Sequence, residues 1–373
     1  MINKLIAERI LPFWYRLCTI SKLKNKALFI EIKNQKLSDN YTGIISCIKS
    51  KVRKGEINVI VDTHYLMVGV CGKLRYFLNC VKLMPKLATS KYVFVNDCSR
   101  VIAHLKLRKD TTLIQTWHGC GALKKFGYST GVESKYYGNE DIVTVSSDEE
   151  VVVKAFAEAM GLDRRCIYPI GVPRTDMFFR KSYFEKCKQL REEILAGRNK
   201  KIILFAPTYR GTVSNAQRPS GLNLDLMYKH LGQEYILITK THSALKKDRP
   251  LCRHKGFFYD VSDEWSIAYA MGVCDVLITD YSSLIFEYSL LLKPAIFYGS
   301  DLEQYERERG FYIDYKKEMP GVICRSTMEI ISEIKNGALD VTKMKEFQHK
   351  YMRSCDGHSA KRLVETIFGE GSE

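Results

Sequence analysis

Short apolar runs rich in β-branched and aromatic residues recur along this chain and alternate with segments of helical periodicity. The predicted strands are Ala27–Ile32, Ile57–Val61, Tyr92–Val95, Thr112–Thr116, Ile142–Val145, Cys166–Ile170, Lys201–Ala206, Tyr235–Thr239, Phe257–Tyr259, Val276–Thr279 and Ala295–Tyr298. Helical patterns lie between many of them, for example Glu149–Met160 and Ser282–Leu292. This alternation predicts parallel sheets joined by crossover helices, and therefore an α/β fold.

The length of the chain indicates two domains. A chain of 373 residues exceeds what one hydrophobic core usually serves, since domains average roughly 150 residues. The polar, helical segment Ser182–Asn199 separates two series of predicted strands, so we expect Rossmann-like domains at residues 1–180 and 181–373. Helical material from Met328 to Phe368 is long enough to return to the first domain.

The charge balance predicts an anionic partner. The chain has 58 Lys and Arg against 42 Asp and Glu, a formal net charge of +16. Nucleic acid, an acidic membrane surface and a phosphate-rich substrate all fit this charge. Nucleic acid is not predicted, because no RNP-type motif, zinc finger or basic zipper occurs.

Cysteine usage indicates a reducing compartment. The 12 cysteines are scattered singly without a C-x-x-C pair, and the sequence opens without a signal-peptide pattern. We therefore expect free thiols and a cytoplasmic protein. No metal site is predicted, because Cys252-Arg253-His254 lacks a second ligand pair at a suitable spacing.

The first 36 residues combine basic and apolar side chains. Lys and Arg far outnumber Asp and Glu there, and apolar residues such as Phe13 and Trp14 lie between them. A helix of this composition suits an anionic lipid headgroup layer. No run approaches the roughly 18 apolar residues that span a bilayer. The alternative is a first helix that packs on its own domain and leaves a basic face in solvent.

Histidines follow one predicted strand in each half of the chain. His118 and Gly119 end the run Gln115–Gly119, and Lys124 follows shortly after. A neutral imidazole at a sheet edge can take a proton from an alcohol, because its unperturbed pKa lies near 6.5. His242, in Lys240-Thr241-His242, is placed in the same way in the second half. The alternative for both is a packed structural histidine.

A second strand end carries hydroxyl and carboxyl groups. Asp280, Ser282 and Ser283 lie between the strand Val276–Thr279 and an apolar helix. The serines can cap that helix, and its free N–H groups would accept a phosphate oxygen without a glycine-rich loop. Glu287, one turn further on, could accept hydrogen bonds from ribose hydroxyls. Alternatively, these polar residues only cap a buried helix.

Two further strand ends supply cationic side chains. In Ala206–Gly211, Arg210 can bind phosphate in a bidentate manner and Thr208 can offer a hydroxyl. Arg174 lies in Gly171–Asp176, where a simple turn is an equally good interpretation. Neither G-x-G-x-x-G nor a P-loop motif occurs, so phosphate must be bound by other means.

Together these segments resemble the CDP-glycerol glycerophosphotransferase family, whose members build and prime teichoic acids and related polyol-phosphate polymers. The motifs that carry the resemblance are QTWHGCGALKKFG at 115–127, GVPRTD at 171–176, APTYRG at 206–211, Lys240–His242, TDYSSLIFEYSLLLKPAIFY at 279–298, RGFYID at 309–314 and DGHSAKR at 356–362. They cover roughly residues 110–365. The resemblance implies a GT-B-like arrangement in which two parallel sheets face a central cleft.

The resemblance also implies roles for individual residues. His118 matches the candidate base, and His242 matches a histidine near the donor pyrophosphate. The donor and phosphate residues would be Thr208, Arg210, Lys240, Asp280, Ser282, Ser283 and Glu287, and the acceptor or cleft-lining residues would be Gly119, Lys124 and Arg174. Two positions depart from the pattern: Ser243 stands where proline is common, and Glu287 where aspartate is usual.

The reaction implied by the resemblance is direct transfer of glycerol phosphate or ribitol phosphate from CDP-glycerol or CDP-ribitol, with release of CMP. The acceptor would be a lipid-linked glycan or a polyol-phosphate polymer, no cofactor would be required, and the protein would lie peripherally on the inner face of the cell membrane. Two alternatives remain. One is a GT-B glycosyltransferase that uses a nucleotide sugar, and the other is a non-catalytic, membrane-associated polyanion-binding protein.

Overall fold

The computed structural model describes residues 2–31, 37–51, 56–63, 70–131, 135–211, 216–217, 219, 221–241, 245, 254–336 and 340–369. The chain divides into two compact units. One comprises Met1–Gly121, Lys125–Met177 and Arg353–Glu373, and the other Ala122–Lys124 and Phe178–Met352. The sequence-based boundary at 180/181 lies close to this division, and Arg353–Glu373 groups with the first unit.

Each unit contains one parallel sheet of six strands. The strands are β1 Lys24–Glu31, β2 Asn58–Thr63, β3 Ser90–Val95, β4 Thr112–Gln115, β5 Ile142–Thr144, β6 Ile167–Tyr168, β7 Lys201–Ala206, β8 Tyr235–Thr239, β9 Phe258–Asp260, β10 Val276–Thr279, β11 Ala295–Tyr298 and β12 Val322–Cys324. Every predicted strand is present, with small shifts at the ends. The sequence analysis did not predict β12, which lies at the edge of the second sheet.

Helices connect the strands in both units. They are α1 Ile2–Leu5, α2 Leu11–Cys18, α3 Asp39–Lys51, α4 Val70–Ala88, α5 Arg100–Ala103, α6 Glu150–Met160, α7 Lys181–Leu195, α8 Leu224–Leu231, α9 Ile267–Val273, α10 Leu284–Ser289, α11 Leu302–Arg309, α12 Tyr315–Glu318, α13 Thr327–Asn336, α14 Thr342–Met352 and α15 Ser359–Phe368. A π-helical turn at Ile6–Ile10 joins α1 to α2, and 3₁₀ turns lie at Gly127–Thr130, Arg164–Cys166 and Pro173–Phe179.

The first sheet has the strand order β2-β1-β3-β4-β5-β6 and is covered on both faces. Residues such as Leu28 and Val93 pack with side chains of α2 and α4 on one face. On the other face, Phe29 and Phe94 pack with α3 and α15. Burial of both faces explains why these strands are continuous apolar runs rather than alternating ones. The register pairs Ile30 with Val95, so β1 and β3 end at the same edge.

The second sheet has the order β12-β11-β10-β7-β8-β9. One face packs against α8 and α13 through residues such as Met227 and Ile330. Thr279 of β10 lies opposite Ala206 of β7 in the register. The chain segments that follow β7 and β10 therefore start from one sheet edge, and ligands of open α/β sheets bind at the carboxyl ends of the strands.

The polar segment placed between the strand series forms α7. Its buried residues Tyr183, Cys187, Leu190 and Ile194 recur at helical spacing. The Tyr183 hydroxyl donates a hydrogen bond to the Ala268 carbonyl of α9, 2.8 Å away. This helix therefore packs within the second unit and is not an exposed linker.

Candidate active site

The end of β4 makes an unusual turn that brings His118 to the surface. Trp117 has φ of 53°, a left-handed conformation that is rare for a bulky residue. The turn is fixed by Gln115, whose Oε1 accepts the Trp117 N–H at 3.0 Å, and by Asn40, whose amide donates to the Trp117 carbonyl. The Trp117 indole is buried, whereas the His118 side chain is 45% exposed. Strain and hydrogen bonds thus place an imidazole in solvent next to a rigid core.

The His118 ring lies beside polar groups that end the neighbouring strand β3. Its Nδ1 is 3.3 Å from the Asn96 carbonyl oxygen and 3.7 Å from Oδ1 of Asp97. The ring also contacts the Trp117 indole, with 4.2 Å between ring centroids. The carbonyl and the carboxylate both lie on the Nδ1 side of the ring, which favours a proton on Nδ1.

Arg174, predicted as a site residue, supports the same turn. One guanidinium NH donates to the His118 carbonyl. Its motif is fixed by Gly171, which has φ of 89° and where a Cβ atom would come within 2.2 Å of the Ser354 carbonyl oxygen. Asp176 accepts the N–H groups of Ser359 and Ala360 at 2.9 Å, which caps α15. The GVPRTD and DGHSAKR motifs therefore contact each other and hold the loop of His118.

Gly119, the other predicted residue of this loop, is half-buried and directly follows the imidazole. The next turn is fixed by Gly121, which has φ of 60° and donates its N–H to Ser146 Oγ at 3.0 Å. Cys120 between them is buried. The loop is thus held on both sides of His118.

At the edge of the second sheet, the predicted donor residues Thr208, Arg210 and Asp280 bind one another. Asp280 accepts hydrogen bonds from the Thr208 N–H at 2.8 Å and from its hydroxyl at 2.9 Å. The Arg210 guanidinium donates to Asp280 at 2.9 Å. Full burial raises the pKa of Asp280, against the opposing effect of Arg210 and Thr208. The three side chains form one network that joins β7 to β10.

A second carboxylate completes this network. Asp301 binds Arg210 in a bidentate manner, with distances of 2.7 and 3.0 Å, and also accepts the Tyr281 hydroxyl at 2.8 Å. The guanidinium carbon lies 4.8 and 4.9 Å from the ring centroids of Tyr281 and Tyr305. Although burial opposes it, hydrogen bonds to Asp301 and Asp280 raise the pKa of Arg210 overall. Most of the donors of Arg210 thus face protein acceptors, and its direct contact with phosphate stays a prediction.

The predicted serines lie in the turn between β10 and α10. Ser282 Oγ accepts the Leu284 N–H at 3.3 Å, while Ser283 is the first residue flanking the helix and makes no side-chain capping bond. Both are half-buried. Glu287 is buried within α10, with 5% of its surface exposed. The capping interpretation therefore holds for Ser282, and phosphate binding by either serine stays a prediction.

Lys240 follows β8, and its ammonium group donates to the Ser262 carbonyl. The next residue, Thr241, donates its backbone N–H to Ser262 Oγ at 2.8 Å. His242 lies outside the described residues, so its role stays a prediction.

Lys124 belongs to the second unit in the structure. Its backbone forms an isolated antiparallel bridge with Phe311, and the adjacent Leu123 carbonyl accepts the Tyr312 N–H at 2.9 Å. Burial lowers the pKa of Lys124 to about 8; the charges of Arg309 and Arg210 act in the same direction, and that of Asp280 opposes them. Lys124 was predicted as an acceptor or cleft-lining residue, and its charged neighbours include Arg210 and Asp280 of the donor network.

Sequence reasoning missed Asp97, Asp301 and the tyrosines around Arg210. Asn96 and Asp97 directly follow β3, which is the same strand-end signal that identified His118. Asp301 lies 91 residues from Arg210 and outside any strand, so no local signal connects them. Among the described residues, no group of three or more His, Cys, Asp or Glu side chains could hold a metal ion.

A family model for CDP-glycerol:poly(glycerophosphate) glycerophosphotransferase matches residues 14–369. The chain belongs to this family. Two similar proteins come from Bacillus spizizenii. A teichoic acid poly(ribitol-phosphate) polymerase is 39% identical over 87% of this chain and 54% of its own length. A teichoic acid ribitol-phosphate primase is 31% identical over 92% of this chain and 90% of its own length. The chain thus spans about half of that polymerase.

A solved structure also matches nearly the whole chain. The wall teichoic acid polymerase TagF superposes with a TM-score of 0.74 at 22% identity, covering 98% of this chain and 94% of the TagF chain. The two parallel six-stranded sheets of this glycerophosphotransferase-family chain therefore have a GT-B-like fold.

Proposed function

We propose that this chain transfers a polyol phosphate from a CDP-polyol to a hydroxyl of a teichoic-acid-type acceptor and releases CMP. The observation that carries the proposal is His118, an exposed imidazole in the QTWHG motif of a family named for this chemistry. Both relatives described above are named for ribitol phosphate, so CDP-ribitol is the first donor to test and CDP-glycerol the second.

In the proposed reaction, His118 Nε2 takes the proton of an acceptor hydroxyl as the oxygen attacks the β-phosphorus of the donor. A phosphorus–oxygen bond forms, the bond to the CMP oxygen breaks, and CMP leaves with that electron pair. Phosphoryl transfer depends mainly on positioning and on stabilising charge on the phosphoryl oxygens. In the second unit, Lys124 and the backbone and hydroxyl groups at Ser282 and Ser283 are the candidates for binding the donor phosphates.

The test is CMP release by purified protein with CDP-ribitol or CDP-glycerol and a panel of lipid-linked acceptors, with His118→Ala as the control. We expect acceptor-dependent release that His118→Ala reduces by roughly 10²- to 10⁴-fold, the usual contribution of a general base. UDP release from UDP-sugars in place of CMP release would indicate a glycosyltransferase. Polymer binding that falls with salt, without turnover, would indicate a binding protein.

We further propose that the transfer requires no cofactor, because protein cations and backbone dipoles can supply the positive charge. The rate in the presence of EDTA should equal the rate without it. A loss of activity that added Mg²⁺ restores would contradict this part of the proposal.

We also propose that the first helices bind the inner surface of an anionic membrane. Phe13, Leu17 and Ile20 are 63, 43 and 85% exposed. Leu74 and Leu78 of the neighbouring α4 are 61 and 48% exposed, and Trp14 Nε1 donates to the Val81 carbonyl at 3.1 Å. Exposed basic residues accompany this apolar surface: Lys4, Arg9, Arg16, Lys73, Arg75 and Lys82. A bilayer with acidic headgroups accepts both kinds of side chain.

Within the described part of the chain, no helix is long and apolar enough to cross a membrane. Co-sedimentation with vesicles tests surface binding. We expect binding to vesicles with phosphatidylglycerol and little binding to pure phosphatidylcholine, and the double variant Phe13→Ser/Leu17→Ser should bind several-fold less. Phe184→Ser is the matched control, since Phe184 is 55% exposed on the other unit. Equal binding of all three proteins would contradict the proposal.

A further inference from the structure

We propose that Asp97 is a positioning residue for His118, which holds the loop of the imidazole and stabilises the cation formed when the ring takes a proton. This inference rests on the proposed function, because it assumes that His118 is the base. Neither the family description nor the sequence motifs assign a role to Asp97.

Asp97 is buried and held in place by its neighbours. Asp97 is 3% exposed, although a carboxylate is costly to bury unless it has partners. Its Oδ1 accepts the Cys98 N–H at 2.7 Å, and its carbonyl oxygen accepts the Gln115 amide at 3.2 Å. Gln115 is also the residue that fixes the Trp117 turn. The loop of Asp97 and the loop of His118 are therefore tied to each other by one side chain.

The surroundings of His118 favour one tautomer of its ring. Nδ1 lies 3.3 Å from the Asn96 carbonyl oxygen, which can only accept a hydrogen bond. Asn96 is itself fixed, since its amide donates to the buried carboxylate of Glu31 at 3.0 Å. A proton on Nδ1 is thus favoured, and the lone pair then remains on Nε2.

The negative charge of Asp97 favours the protonated form of the His118 ring. During the transfer, the acceptor proton moves to Nε2 and the ring becomes a cation. Asp97 Oδ1 lies 3.7 Å from Nδ1, and an opposite charge at this distance favours the protonated ring. The other charged groups near the loop are Arg174, which donates to the His118 carbonyl, and Glu31 behind Asn96. Arg174 disfavours the cation, whereas the two carboxylates favour it.

The test is Asp97→Asn, which keeps the shape and removes the charge. We expect kcat to fall roughly 10- to 100-fold, a part of the 10²–10⁴ that a general base contributes. The acid limb of the pH dependence of kcat/KM should also move to lower pH by about one unit. The reason is that the carboxylate no longer stabilises the protonated ring, so the neutral base persists to lower pH. A purely structural role would lower activity without moving this limb.

Asp141→Asn is the matched control. Asp141 Oδ2 accepts the Leu113 N–H of β4 at 2.7 Å, at the opposite end of the strand that leads to His118. This variant should leave the acid limb in place. Circular dichroism verifies folding, and if Asp97→Asn does not fold, Asp97→Glu, which keeps the charge but moves it, is measured in the same way.

An NMR titration of the His118 ring without donor tests the role of Asp97 separately from the proposed transfer activity. A lower titration midpoint in the Asp97 variant supports the positioning role even if no CMP release is found. If the Asp97 variant keeps the wild-type kcat, acid limb and titration midpoint, the role of Asp97 is overturned. In that case, loss of activity in His118→Ala would still support the proposed function.

Discussion

The two sheets carry charged side chains at equivalent edges, but in opposite arrangements. At the first sheet, the ionisable group that reaches solvent is His118, and the carboxylates of Asp97 and Glu31 are buried behind it. At the second sheet, the cation Arg210 is largely enclosed by Asp280 and Asp301. Exposure therefore distinguishes a group that can meet a substrate from groups that support the site. Arg210 has the chemistry of a phosphate ligand, but it has the environment of a structural ion pair.

The largest expected effect comes from His118→Ala. Because the side chain is 45% exposed, thermal melting should stay near that of the wild type while kcat falls by roughly 10²- to 10⁴-fold. Turnover assays and melting curves on one preparation test this. A large drop in melting temperature would mean that His118 supports the fold, which would remove the contrast between the two edges.

Arg210→Met should show the reverse pattern, with a large loss of stability. Removing the guanidinium leaves Asp280 and Asp301 without their cation, and breaking a buried ion pair costs about 3–5 kcal/mol. Urea unfolding measures the change. Arg325→Met is the control, since its ion pair with Glu303 is exposed and should contribute much less. Unchanged stability with a raised donor KM would instead identify Arg210 as a direct phosphate ligand.

The KM for the donor should depend on pH through the charge of Lys124. Its pKa is lowered to about 8, so the ammonium is charged below this pH and neutral above it. If the ammonium binds the anionic donor, KM for the donor should rise by roughly 10-fold as the pH increases from 7 to 9. Lys124→Met should have the high KM at both pH values. The exposed neighbour Lys125 provides the control Lys125→Met, which should behave as wild type.

Alanine variants of Ser282 and Ser283 should have the smallest effects. They distinguish a side chain that caps the helix from one that binds the donor. Ser282→Ala removes the oxygen that accepts the Leu284 N–H and should cost about 0.5–2 kcal/mol of stability. Ser283→Ala removes no capping bond, so the free energy of unfolding should change by only a few tenths of a kcal/mol. We expect a several-fold higher donor KM for Ser283→Ala. Unchanged KM in both variants would rule out their hydroxyls as phosphate ligands.

Much of the fold could be predicted because its signals are local. A buried parallel strand is a continuous apolar run, and such runs identified β1 to β11 without tertiary information. The edge strand β12 was not predicted. The helix predicted over Ser282–Leu292 is shorter, Leu284–Ser289, since Leu292 takes a left-handed conformation with φ of 49°. Helix ends depend on such single residues, which propensity does not resolve.

The sequence by itself determined the fold class and which strand ends carry reactive groups, because periodicity and strand-end chemistry are properties of neighbouring residues. Only the tertiary structure decided which of those groups face solvent. Asp301 meets Arg210 across 91 residues, and Asp97 meets His118 across a strand crossover. Such pairings depend on sheet order and register, and the energy of an ion depends on the burial and partners that this topology creates.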